Sequence, residues 1–167
     1  MNLPLGYAYA ATYAGIRKVE KDDLALIVTG LAASAAAVFT ENRVVAAPVK
    51  LCERHLKLSR GLVGAILVNA GNANCATRTG DAVALATSKA AAKLLKLPVS
   101  QVLPASTGVI GVELDPRRII DALPRLVSGL GTDRFDDAAR AILTTDLCPR
   151  PHSPKPGCGA AWCGPRA

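Results

Sequence analysis

Short apolar runs alternate with polar punctuation over the first 146 residues, and the pattern predicts a mixed succession of strands and helices. Residues 6–18 place Tyr7, Tyr9 and Tyr13 at a spacing of two or its multiple, which predicts an extended lead-in. Residues 24–28 (Leu-Ala-Leu-Ile-Val) and 35–39 (Ala-Ala-Ala-Val-Phe) are runs of buried-strand length. Pro48 suits the first turn of a helix predicted over 49–58, because the N–H it lacks would be unpaired there. Cys52 and Leu56 share one face of that helix at i, i+4, and His55 beside them reads as a satisfied structural histidine. Residues 64–69 are apolar on both alternations and predict a central strand.

The clearest helical period covers residues 81–96, where Val83, Ala86, Ala90, Leu94 and Leu97 recur every three to four positions. Lys89, Lys93 and Lys96 fill the other side, and Pro98 stops the helix. Residues 99–103 predict a short strand. Asp115 and Pro116 then form an N-cap and first position, with Ile119, Ile120 and Leu123 on the apolar face before Pro124. Gly129 and Gly131 break the chain, and Thr132 or Asp133 caps a third helix carrying Phe135, Ala138, Ala139 and Ile142, which ends at Thr144-Thr145-Asp146. Periodicity stops there. Residues 147–167 hold five prolines and three glycines, which predicts a disordered tail.

Composition narrows the class. Half of the 167 residues are hydrophobic but only 4% are aromatic, so the core of this one domain is built from Ala, Val, Leu and Ile. No apolar run reaches a membrane-spanning length, and Met1–Gly6 lacks a basic segment followed by an apolar one. A cytoplasmic location is the expectation. Of the net charge of +7, Arg150, Lys155 and Arg166 bring +3 with no acid, leaving +4 over the first 146 residues. That balance, without clustered cations or interleaved aromatics, argues against a nucleic-acid partner. Five cysteines (Cys52, Cys75, Cys148, Cys158, Cys163) are an odd number, which argues against a disulfide framework. Cys158, Cys163 and His152 lack the second ligand cluster of a structural zinc site, so no metal is expected.

Two loops carry candidate chemistry. Asn69-Ala-Gly-Asn-Ala-Asn-Cys75 packs three asparagines behind a predicted strand; it reads equally as a structural turn or as a substrate-facing loop, with Cys75 a small buried thiol. Pro104-Ala-Ser-Thr-Gly-Val-Ile-Gly111 sets the hydroxyl of Thr107 beside the backbone N–H of Gly108, a residue free to take positive φ. Two adjacent donors of this kind are what an oxyanion hole requires. The competing reading is a strand end whose glycines only make a turn.

Four motifs stand in order: Val38-Phe-Thr-Glu-Asn-Arg-Val-Val-Ala-Ala-Pro-Val49, Asn69-Ala-Gly-Asn-Ala-Asn74, Ala105-Ser-Thr-Gly-Val-Ile-Gly111 and Ala141-Ile-Leu-Thr-Thr-Asp146. Together they resemble the ornithine acetyltransferase/glutamate N-acetyltransferase family of arginine biosynthesis, across about residues 6–146. The resemblance implies a layered α/β sandwich of the self-cleaving threonine acyltransferase type, of which this chain holds an incomplete first portion. It implies acetyl transfer from N-acetylornithine to glutamate, with acetyl-CoA a further donor in some members and no metal or coenzyme. A second subunit from the same precursor and a homo-oligomeric assembly are the implied partners. Carried over by motif, Thr107 and Gly108 are the oxyanion pair and Thr144 is the substrate-binding threonine, with Thr145 the other candidate.

The family continues with a Lys-Gly segment and a Met-Ala-Thr-Met-Leu cleavage site that supplies the nucleophile; residues 147–167 match neither. The expectation is therefore a chain without its own nucleophile, inactive alone, with an unpaired sheet edge and poor solubility. A non-catalytic remnant of the same fold, and a related self-cleaving aminopeptidase, are the competing functional readings.

Overall fold

A computed structural model describes residues 3–144 of the chain. Four strands form one sheet in the order β1 (Tyr7–Thr12), β2 (Leu24–Ser34), β3 (Leu62–Asn72), β4 (Val102–Val109). The first two pairings are antiparallel and β3–β4 is parallel. The parallel pair is joined through α2 (Gly80–Leu95), the crossover such a pair requires. Helix α1 (Ala47–Leu58) precedes β3, and α3 (Pro116–Ser128) and α4 (Phe135–Ala141) follow β4.

Alternation along the strands sorts side chains onto the two faces. Ala10, Leu24, Leu26, Ala65, Leu67 and Val102 face α2 and α3, and meet Val83, Ala91, Ala92, Ile119, Leu123 and Leu126 in the main core. Their neighbours Tyr9 and Ala25 face the other way, where Ala138 and Ala141 of the short α4 cover them. Tyr9 and Phe135 meet edge to face with ring centroids 5.3 Å apart. Helices therefore lie on both faces of a mixed sheet.

Four expectations are corrected. Residues 35–39 form no strand; they follow the exposed far end of β2, and Val38 is 99% exposed, because no neighbouring strand is there to pair with them. Residues 99–101 form a single 3₁₀ turn rather than a strand start, and β4 instead runs on through Thr107 and Gly108. Helix α4 ends at Ala141, ahead of the expected Thr144-Thr145-Asp146. The cap of α4 is Arg134 rather than Thr132 or Asp133. The proposed tail at 147–167, with Cys148, Cys158 and Cys163, and Thr145 lie outside the described residues.

Helix α1 shields the first half of β4. His55 is buried with Nδ1 2.8 Å from the Val102 carbonyl; a carbonyl only accepts, so Nδ1 carries the proton. One turn earlier the Cys52 thiol donates to Pro104 O at 3.0 Å, and burial pushes that thiol up to about 11. Both side chains satisfy carbonyls of the edge strand, so its first half is closed to another chain.

Candidate active site

Thr107 and Gly108 lie on the last turn-free stretch of β4, opposite Ala70 and Gly71 of β3. Thr107 is half-buried and Gly108 is exposed, so the pair stands where the sheet opens to solvent. Gly108 has φ +134°, and a Cβ there would fall 2.3 Å from the Gly71 carbonyl carbon and 2.7 Å from Asn72 N. Only glycine permits this approach of the two backbones. Gly71 is itself pressed from behind: a Cβ on it would lie 2.7 Å from Ile16 Cγ2 and 3.1 Å from Arg17 Cγ.

The three asparagines build the turn that follows β3. Asn69 Oδ1 accepts the N–H groups of Gly71 and Asn72 at 3.1 and 3.3 Å, and its amide donates to Asn72 O at 2.7 Å. Asn72 donates to Val112 O at 3.0 Å and accepts from Asn74 N at 2.7 Å; Asn74 donates to Gly80 O at 2.9 Å, at the start of α2. All three are buried. Asn74 takes φ +48°, a conformation asparagine tolerates. This relay makes the asparagine loop a scaffold: its side chains are committed to backbone groups behind Gly108.

Glu113 fastens the loop after β4 to α2. Its carboxylate accepts from Arg78 N at 2.8 Å and from the Thr79 hydroxyl and N–H. The Thr79 hydroxyl first, then the Arg78 N–H, hold its carboxyl below the ordinary value of 4.5. A carboxylate depressed in the folded state binds its proton less readily than in the unfolded chain, so its contribution is complete above the ordinary value. It is lost as pH falls through the lower folded value. Protection of the Arg78 and Thr79 amides, relative to their intrinsic exchange, is accordingly expected to fall on acidification below pH about 4.5, and Glu113→Gln to reproduce that loss at neutral pH. Protection that ignores both would contradict the clasp.

Thr144 is exposed, three residues past the end of α4. Its preceding carbonyl, Leu143 O, accepts a hydrogen bond from Arg17 Nη2, and Arg17 Nε donates to Ala70 O, the register partner of Thr107. One guanidinium thus joins the segment that carries Thr144 to β3, at the residue opposite Thr107. Arg17 was not among the residues singled out from the sequence, nor was Asp23, whose buried carboxylate holds the backbone of Ala14, Ile16 and Arg17. An acid directly ahead of an apolar strand is the available signal.

A cavity of about 310 Å³ lies beside this region, between the starts of α1 and α2, lined by Arg43, Lys50, Asn74, Arg78 and Asp81 among others. Thr107, Gly108 and Thr144 do not line it.

The ArgJ family model matches residues 8–158. The chain is 43% identical over 148 residues to an arginine biosynthesis bifunctional protein ArgJ of Nitratidesulfovibrio vulgaris, covering 88% of this chain and 37% of the relative. A Prochlorococcus marinus ArgJ is 41% identical, with 86% and 36% covered. The chain therefore spans about a third of the length of these curated relatives. Among solved structures, it superposes on the ornithine acetyltransferase of Mycobacterium tuberculosis complexed with ornithine with TM-score 0.80 at 34% identity, covering 87% of this chain and 79% of that one. For the ArgJ structure from Bacillus halodurans the TM-score is 0.78 at 31% identity, with 86% and 75% covered. With the family model matching most of its length and solved relatives superposing on it at this identity, the chain belongs to the ArgJ family.

Proposed function

We propose that this chain supplies the oxyanion-stabilising and part of the substrate-binding side of an acetyltransferase that moves an acetyl group from N-acetylornithine to glutamate. Residues 1–146 are the part of the chain that serves this role. The observation that carries the reading is Gly108, held at φ +134° against Gly71 on an exposed strand end, next to the Thr107 hydroxyl. A strand end that needed only to turn would not require backbone packing of this closeness.

The chemistry is covalent acyl transfer. A threonine Oγ attacks the acetyl carbonyl, the carbonyl electrons move onto oxygen, and Thr107 Oγ–H and Gly108 N–H donate to that oxyanion. Collapse breaks the amide bond, and the proton shed by the threonine Oγ leaves on the ornithine amine; the glutamate amine then attacks the threonine ester and breaks its C–O bond, and the proton it sheds restores the threonine hydroxyl. Thr144 contacts the substrate. The attacking threonine comes from polypeptide other than residues 1–167, because none of the threonines here stands in a matching context. No metal or coenzyme enters these steps.

Grafting residues 8–146 into the corresponding place of the Nitratidesulfovibrio vulgaris relative tests the assignment, since the relative then supplies the remaining length. The chimera is expected to transfer acetyl groups from N-acetylornithine to glutamate, and the 167-residue chain alone is not. Thr107→Val in the chimera is expected to lower kcat by roughly 10²-fold, the usual effect of deleting one oxyanion donor. Wild-type turnover by that variant would remove Thr107 from the site.

A further inference from the structure

One guanidinium bridges the two halves of the proposed site, and its backbone is locked before its side chain reaches out. Asp23 is fully buried at the point where β1, β2 and β3 diverge. Its N–H turns aside to Thr12 O at 3.2 Å, while its carbonyl accepts from Ala70 N at 2.8 Å. Ala70 O is thereby left without the partner that a continuing β2 would have given it. Arg17 Nε fills that place. The Arg17 backbone is in turn fixed by the Asp23 carboxylate: Oδ1 accepts from Ala14 N at 2.7 Å, and Oδ2 from Ile16 N at 2.7 Å and Arg17 N at 2.9 Å. From this fixed base the stem crosses Gly71, and Nη2 donates to Leu143 O, one peptide before Thr144.

We propose that Arg17 is a positioning residue that sets Thr144 relative to the oxyanion strand. The inference rests on the acetyltransferase reading above for its consequence in catalysis, though the linkage itself does not. Arg17 has two effects at once. Its stem lies against Gly71 with no room for a side chain between them, and Gly71 leaves none toward Gly108, so the row Arg17–Gly71–Gly108 sets the height of the oxyanion amide. Its head holds the Leu143 carbonyl beside the Ala70 carbonyl, so the Thr144 backbone cannot drift from β3, the strand paired with the one that carries Thr107. A forked head with separated donors can hold two carbonyls in one plane, whereas an ammonium offers a single point. Displacement of a substrate-holding group by about 1 Å can cost up to 10²-fold in rate, which is the scale on which such a brace matters.

Two measurements decide it. In the full 167-residue chain, Arg17→Met keeps most of the stem and deletes both donors. The Thr144 amide is expected to fall from an order parameter near 0.85 to below about 0.6, with shifted resonances at Gly71 and Gly108 and a thermal midpoint lowered by only a few degrees. Unmoved Thr144 and Gly108 amides would overturn the proposal. So would a uniform loss of protection across the core, which would make Arg17 a staple of the fold and nothing more. In the chimera described above, Arg17→Met is expected to lower kcat/KM for N-acetylornithine about tenfold, chiefly through KM, and Arg17→Lys to recover to within about threefold of wild type. Loss confined to the amount of folded enzyme, with kcat and KM per folded molecule unchanged, would overturn the role. A silent wild-type chimera would count against the acetyltransferase reading, and the amide measurement would then decide the linkage by itself.

Discussion

Gly108→Ala is expected to destabilise the chain by about 4 kcal/mol, read as a fall in the urea midpoint with an unchanged slope. Two separate costs combine. At φ +134° an L side chain is strained whatever space surrounds it, a cost on the order of 1–3 kcal/mol. The new methyl would also sit 2.3 Å from the Gly71 carbonyl carbon and 2.4 Å from its oxygen, and these atoms belong to a paired strand and cannot swing away. Relief requires β4 to part from β3 at its end, which breaks the pairing of Ala70 with Thr107 and of Gly71 with Gly108. Since a domain of this size has only about 5–15 kcal/mol in hand, the variant should also be visibly less soluble. A loss under about 1 kcal/mol would mean that the two strand ends are not in the contact described, and the case for Gly108 as a specially shaped residue would go with it.

The elements that periodicity dictates are legible in the sequence. Strand β3 is apolar on both alternations and proves to be an inner strand; α2 carries its small apolar residues at helical spacing and proves to be the crossover of the parallel pair. His55 reads as a satisfied histidine and is one, bonded to Val102 O. What failed depended on neighbours. Residues 35–39 have strand composition, but composition does not say whether a partner strand is adjacent. Pro124 costs α3 a donor without ending it, because Leu123 and Leu126 on either side are fully buried against the main core.

The site divides along the same line. Thr107 and Gly108 were visible as candidates because a hydroxyl, a glycine and a motif are local features. The brace behind them was not. Arg17 and Leu143 are far apart in sequence, and nothing in either neighbourhood announces that a side chain from one will bond a carbonyl of the other. The asparagine loop could be read two ways because asparagine serves both turns and ligands; only the partners Gly71, Asn72, Val112 and Gly80 settle that its amides are spent on the backbone.

Asp23→Ala is the second substitution with a large expected effect, about 4 kcal/mol by chemical denaturation. The carboxylate is fully buried and accepts three backbone N–H bonds of 2.7, 2.7 and 2.9 Å. Hydrogen bonds to a charged group are worth more than neutral ones, and stranding a buried donor costs roughly 1–3 kcal/mol. Three stranded donors would exceed the expected value if they added, but some regain water because Ala14, Ile16 and Arg17 are only half-buried. Asp23→Asn keeps one acceptor and turns an NH₂ toward the remaining donors, so it should recover about half the loss and no more. The same carboxylate is the base on which Arg17 stands, so the two residues should not behave independently. A cycle of Asp23→Asn and Arg17→Met is expected to show a coupling on the order of 1 kcal/mol, because once the carboxylate is gone the guanidinium has no fixed stem from which to reach Ala70 and Leu143. Additive losses would show instead that the segment from Ala14 to Arg17 is held by Arg118 and Arg125 of α3, which bond the carbonyls of Gly15 and Tyr13, and that Asp23 serves only its own end of β2.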